Sequence, residues 1–239
     1  MMQAPRRTRF SGPQLSRLLA RLADVDAPES GESLSGRLSQ WLGWTDAIAL
    51  SAALNPQPWE APLRAQPAVG AEERACAHVR ASLAAAITGD RSTESRRPGP
   101  GRAPVPPAPA AVDFAACRQH YLFLQQTMER EIAGLRHRLR TALAARAPGM
   151  NGLAQVDAVM ERVLGAREQT LLAGVPVLLE AHFGRLRQAG EATPAEASPA
   201  ARPDPWLRAF QSDMQAVLLA ELDLRFQPID ALLAALRGN

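Results

Sequence analysis

The chain has 239 residues, 46% of them hydrophobic and only 5% aromatic, and a formal charge of +3. All 27 basic residues are Arg, so the Lys of a Walker-type phosphate loop is missing, and so small a charge does not by itself mark a nucleic-acid binder. Two Cys exclude a disulfide scaffold and fit a reducing cytosol, while an Ala- and Leu-rich, aromatic-poor composition favours an all-α fold over sheets.

Residues 1–10 read as a frayed arm, basic but with no apolar segment of a secretory signal after them. Ser11, Pro13 and Gln14 open a first helix, with Leu15, Leu18, Leu19 and Leu22 on one face and a stop at Asp24–Pro28. Ser30 or Ser33 opens a second, carrying Leu34, Leu38, Trp41 and Leu42. Thr45 caps a third, which holds Ile48 and Leu54 and ends at Asn55-Pro56. These three are expected to form a compact N-terminal unit with Trp41 or Trp44 at its centre. Residues 55–71, with four Pro, look extended, and a fourth helix is expected over 72–88, with Cys76, Val79, Leu83 and Ile87 on one side. The first unit thus spans 1–88. Residues 89–112 form a Pro-rich linker expected to be disordered or polyproline-like.

The second unit, 113–239, is organised around one long helix over 113–147. Phe114, Cys117, Tyr121, Leu124, Met128, Ile132, Leu135, Leu139 and Ala142 recur at steps of three or four and make a single apolar stripe. Ala147-Pro148-Gly149 stops it, and a return helix over 151–187 should complete an antiparallel hairpin, split by Pro176 near Gly174. After a loose loop at 188–203, Asp204-Pro205 opens a last helix with Trp206, Leu207, Phe210, Met214, Val217, Leu218 and Leu222 on its face. Pro228 should end or kink it before a terminal turn through Leu236. The expected architecture is a long antiparallel helical hairpin closed by a C-terminal helix, beside a smaller N-terminal helical unit. No run reaches the length of apolar residues that spans a membrane.

Few residues point to chemistry. Cys76 and His78, with Cys117 and His120, supply zinc-type ligands, but side chains two apart on a helix diverge and Cys117 falls on the apolar stripe. His137 and His182 have no neighbouring nucleophile. No cofactor or metal is expected, and no catalytic motif marks an enzyme. Arg130, Arg136, Arg138, Arg140 and Arg146 against Glu129 and Glu131 leave a local charge of +3 over 129–146, a strip that would meet phosphates if it lay free. Trp41, Trp44 and Trp206 are candidate core anchors or interface hot spots.

The stretches FSGPQLSRLLARLADVDAPESGESLSGRLSQWLGWTDAIALSAAL, DFAACRQHYLFLQQTMEREI and WLRAFQSDMQAVLLAELDLRFQPIDALLAAL resemble a proteobacterial domain family of unknown function. Its members are similar to an accessory component of type III Zorya anti-phage defence systems. The resemblance implies a cytoplasmic protein working beside a stator-like pair, a membrane proton channel with a long cytoplasmic tail and a peptidoglycan-binding partner. It supplies no functional residue. The expectation is therefore a non-enzymatic helical adaptor that binds the cytoplasmic part of such a motor, or itself. The alternative is a nucleic-acid-binding effector that uses the Arg-rich strip.

Overall fold

The computed structural model describes residues 14–25, 34–55, 69–89, 113–146, 150–192 and 205–238. These form eight helices and no strand: α1 (Gln14–Ala23), α2 (Leu34–Trp41), α3 (Trp44–Leu54), α4 (Val69–Thr88), α5 (Phe114–Arg146), α6 (Met150–Leu172), α7 (Val175–Ala192) and α8 (Pro205–Arg237). The N-terminal arm, the caps at Ser11, Ser30, Ser33 and Asp204, and the linker over 90–112 lie outside the described residues.

α5 forms because its apolar residues return to one side at every turn. Asp113 caps it, its carboxylate accepting a hydrogen bond from the Ala115 amide at 3.2 Å. Phe114, Tyr121, Leu124, Met128, Ile132, Leu135, Leu139 and Ala142 of the expected stripe are all buried, and Cys117 is half-buried. The return segment is two helices, α6 and α7, divided at Ala173-Gly174 two residues before Pro176, as a ring without an amide proton requires.

Residue pairs fix the directions. Arg140 of α5 meets Asp157 and Glu161 of α6, whereas Glu129 and Glu168 meet at Arg225, so α6 runs antiparallel to α5. Phe114 faces Phe210, and Tyr121 reaches Glu221, so α8 runs parallel to α5. α4 runs antiparallel to both: Arg138 binds Glu72, and Arg80 and Arg237 of opposite helices bind Asp230 and Glu73. The parallel pair α5 and α8 is therefore the axis of the bundle, with α4 on one side and α6–α7 on the other. α8 is buried on its widest arc, from Leu207 to Leu236, because α1, α4, α5 and α7 all pack on it.

Several expectations change here. The first four helices do not make a unit of their own. α1 lies on α7 and α8, α3 on α6, and α4 on α8 and α5. Leu15 and Leu22 of α1 and Cys76, Leu83 and Ile87 of α4 share one core with the C-terminal helices. The reason is area: a short amphipathic helix hides its stripe better against a long groove than against another short helix. Arg21 binds Asp213 at 2.9 Å, and an Arg185 guanidinium donates to the Leu22 carbonyl, which fastens the end of α1. There Asp24, at φ 54°, takes the left-handed turn that closes the helix.

Boundaries also move. α4 begins at Val69, inside the stretch expected to be extended, and α7 continues to Ala192 through the start of the expected loop. α3 starts at Trp44 with Gly43 as its cap and no side-chain cap bond, so Thr45 sits inside the first turn. Pro228 does not end α8, which runs on to Arg237. Packing of Phe226, Ile229, Leu232 and Leu233 outweighs the one backbone hydrogen bond that proline removes.

Candidate functional site

The charged residues singled out from the sequence divide among different neighbours. Arg136 and Arg140 point into the α5–α6 seam: Arg136 binds Asp157 at 2.6 Å, and Arg140 binds Asp157 at 2.9 Å and Glu161 at 2.5 Å. Their side chains are only 14% and 17% exposed. Arg138 turns the other way and binds Glu72 of α4 at 3.0 Å. Arg130 is exposed beside Glu131, 3.5 Å away. One strip along the sequence thus becomes three environments. Of the strip's five guanidiniums, those of Arg136, Arg138 and Arg140 bind carboxylates of other helices, and of these three only Arg136 and Arg140 are largely withdrawn from solvent.

A second polar cluster lies deeper, and sequence reading missed it. Glu221, fully buried on α8, accepts hydrogen bonds from the Tyr121 hydroxyl at 2.8 Å, from Gln125 at 3.1 Å and from Arg225 at 3.0 Å. Arg225, itself 8% exposed, also reaches Glu168 at 2.8 Å and Glu129 at 3.3 Å. The network ties α5, α6 and α8 at one level. Burial, with the negative charge of Glu221 and its hydrogen bond, pushes the Tyr121 phenol far above its ordinary range, so it stays a donor. Burial also raises the Glu168 carboxyl; Arg225 opposes that shift and Glu221 adds to it. The sequence did carry a signal: Glu221 stands at a core position between Val217 and Arg225, each four residues away, so both share its face.

The three tryptophans singled out from the sequence have different fates. Trp206 is a half-buried anchor, its ring edge-on to Phe183 at 5.3 Å within a cluster that includes Phe114 and Phe210. Trp41 is half-buried, with the Arg167 guanidinium 5.6 Å from its ring centroid. Trp44, the alternative centre of the expected N-terminal unit, is 82% exposed. One turn on, Ile48 is 55% exposed. α3 is held from behind by α6, where Asp46 binds Arg162 at 2.7 Å. Its Ala53 and Val159 of α6 are buried apart from the main core. α3 is thus a fixed outer helix with a large aromatic and a branched aliphatic residue turned to solvent.

The cysteine–histidine sets do not converge. Cys76 is in the core, Cys117 is half-buried, and burial raises both thiols, which keeps them protonated and unreactive. Among the described residues no group of three His, Cys, Asp or Glu is placed to hold a metal ion, and no helix is long and apolar enough to cross a membrane.

No curated protein and no solved structure matches this chain. Residues 1–238 match the family described as "Protein of unknown function (DUF3348)". With all but the last residue covered, the chain belongs to that DUF3348 family.

Proposed function

We propose that this protein is a helical binding module whose α3 face, carrying Trp44 and Ile48, docks a helix of a protein partner. The observation that carries the reading is the exposure of these two side chains, one turn apart, on a helix fixed from behind. A solvent-facing Trp beside a branched aliphatic residue fits the aromatic anchor of a helix-in-groove contact. The fate of the Arg strip supports a protein partner over nucleic acid, since Arg136, Arg138 and Arg140 are engaged with Asp157, Glu161 and Glu72. As that partner we propose the cytoplasmic tail of a stator-like membrane motor, met in the cytoplasm during anti-phage defence, a reading that the resemblance in sequence supports.

The test is co-purification of the full chain with that tail, comparing wild type with Trp44→Ala/Ile48→Ser. Both positions are exposed, so the variant should keep its helical signal and melting temperature. Recovery of the tail should fall at least tenfold. Unchanged recovery would remove α3 from the reading. Retention of DNA with no tail would replace it with the nucleic-acid alternative.

A further inference from the structure

α3 differs from most of its neighbours in what it turns to water. No exposed side chain of α3 carries a charge. Its one ionisable residue, Asp46, is turned to Arg162 of α6 at 2.7 Å, so even the rim of this face is a neutral pair. By contrast α1 and α4 to α8 each expose charged residues, among them Arg17, Arg74, Arg118, Arg162, Glu180 and Arg208. Ala47, Ile48 and Ser51 follow Trp44 by three, four and seven residues, so the four share one face of the helix. Leu54, 65% exposed, continues it at the far end. The face alternates two large side chains, Trp44 and Ile48, with two small ones, Ala47 and Ser51.

Such a face suits a second copy of itself. Across a two-fold axis, residues near the axis meet their own copies. An exposed charge there meets a like charge, which opposes pairing; α3 carries no such cost. Antiparallel packing about an axis level with Ala47 and Ile48 sets each Trp44 on the partner's Ser51, because positions 44 and 51 lie equally far from that level. The two Ile48 side chains then meet on one flank, and the two Ala47 methyls on the other let the backbones come close. Large thus faces small at both ends, as close packing requires. The Trp44 ring, 82% exposed, offers about 200 Å². With Ile48, Leu54 and the small residues between, each copy would cover on the order of 500 Å², so the pair reaches about 1,000 Å², the lower bound of a specific interface. That area fits a reversible dimer and not a permanent one.

We propose that α3 joins two copies of this chain in a reversible two-fold dimer, with Trp44 of each copy seated on the partner's Ser51. The inference shares its surface with the docking reading and rests on the same exposure of Trp44 and Ile48. The dimer covers the face that a helix of another protein would use. The chain therefore docks as a monomer, and its own association competes with docking.

Sedimentation equilibrium of the full chain alone, from about 1 to about 300 μM, tests it. The mean mass should rise with concentration from one chain toward two and stop there. Ala47→Glu, which sets two like charges face to face at the axis, and Trp44→Ala should each weaken the dimer about tenfold or more. Gln119→Glu adds the same charge to an exposed position near the start of α5, away from α3, and should leave the dimer within about threefold of wild type. All three positions are exposed, so the helical signal should not change. A mass that stays at one chain over the whole range would overturn the proposal. So would a dimer untouched by both Ala47→Glu and Trp44→Ala, or one weakened as much by Gln119→Glu as by Ala47→Glu. A single-chain mass with Trp44-dependent capture of the motor tail would leave the docking reading standing alone; a Trp44-dependent dimer that captures no tail would leave only the dimer.

Discussion

At the scale of single residues, Glu221 is the most consequential side chain. It satisfies Tyr121, Gln125 and Arg225 together in full burial, and removing it leaves a guanidinium and a phenol short of an acceptor. Glu221→Ala should destabilise the protein by about 3–5 kcal/mol in denaturant unfolding. Tyr121→Phe, which loses one hydrogen bond to a charged group, should cost only about 1.5–3 kcal/mol. Equal losses would mean that Arg225 draws no benefit from Glu221.

Glu168 gives a pH signature. Its carboxyl is raised by burial, so the folded state takes up a proton more readily than the unfolded chain. The stability this contributes is complete below the ordinary value of 4.5 and is lost as pH rises through the raised value. Wild type should therefore gain stability relative to Glu168→Gln as pH falls from neutrality toward 4.5. A difference that stays flat over that window would contradict the assignment.

Two glycines on helix surfaces should respond with opposite sign. A Cβ at Gly134 meets nothing within 4 Å, so Gly134→Ala should stabilise by about 0.5–1 kcal/mol through helix propensity. A Cβ at Gly190 would stand 2.6 Å from Cδ1 of Trp206, so Gly190→Ala should destabilise by about 1–3 kcal/mol. Melting of the two variants side by side checks both.

At the scale of elements, α5 could be read from the sequence because its period is regular and its Asp113 cap and Pro148 stop are local signals. The break between α6 and α7 followed from Pro176 for the same reason. The continuation of α8 through Pro228 was not readable. A proline inside a helix loses to packing only when neighbours bury the turns on both sides, and those neighbours are α4 and α5. Replacing the ring by Pro228→Ala restores the donor to the Leu224 carbonyl and should stabilise α8 by about 1–3 kcal/mol. A loss of stability instead would mean that the ring's own contacts outweigh the missing bond.

At the scale of the whole molecule, the all-α class was readable from composition, but the assembly was not. Leu15, Leu22, Leu83 and Ile87 announce that α1 and α4 each have a face to hide. Nothing in them names α7 or α8, more than a hundred residues later, as the cover. The Arg strip misled in the same manner, because the sequence shows charge but not that Arg136 and Arg138 leave α5 toward different helices. The sequence offered Trp44 as the centre of a unit or an interface residue but did not show it exposed, since only the placement of α3 on the outside of α6 decides that.

One core is shared by helices on both sides of residues 90–112, with α4 as much a part of it as α5 and α8, leaving α3 as the outer face. Native-state hydrogen exchange along a denaturant series tests it most directly. The amides around Leu83 in α4 should open in the same global transition as those around Leu139 in α5 and Leu218 in α8. Loss of α4 protection at distinctly lower denaturant, with α5 and α8 still closed, would contradict it.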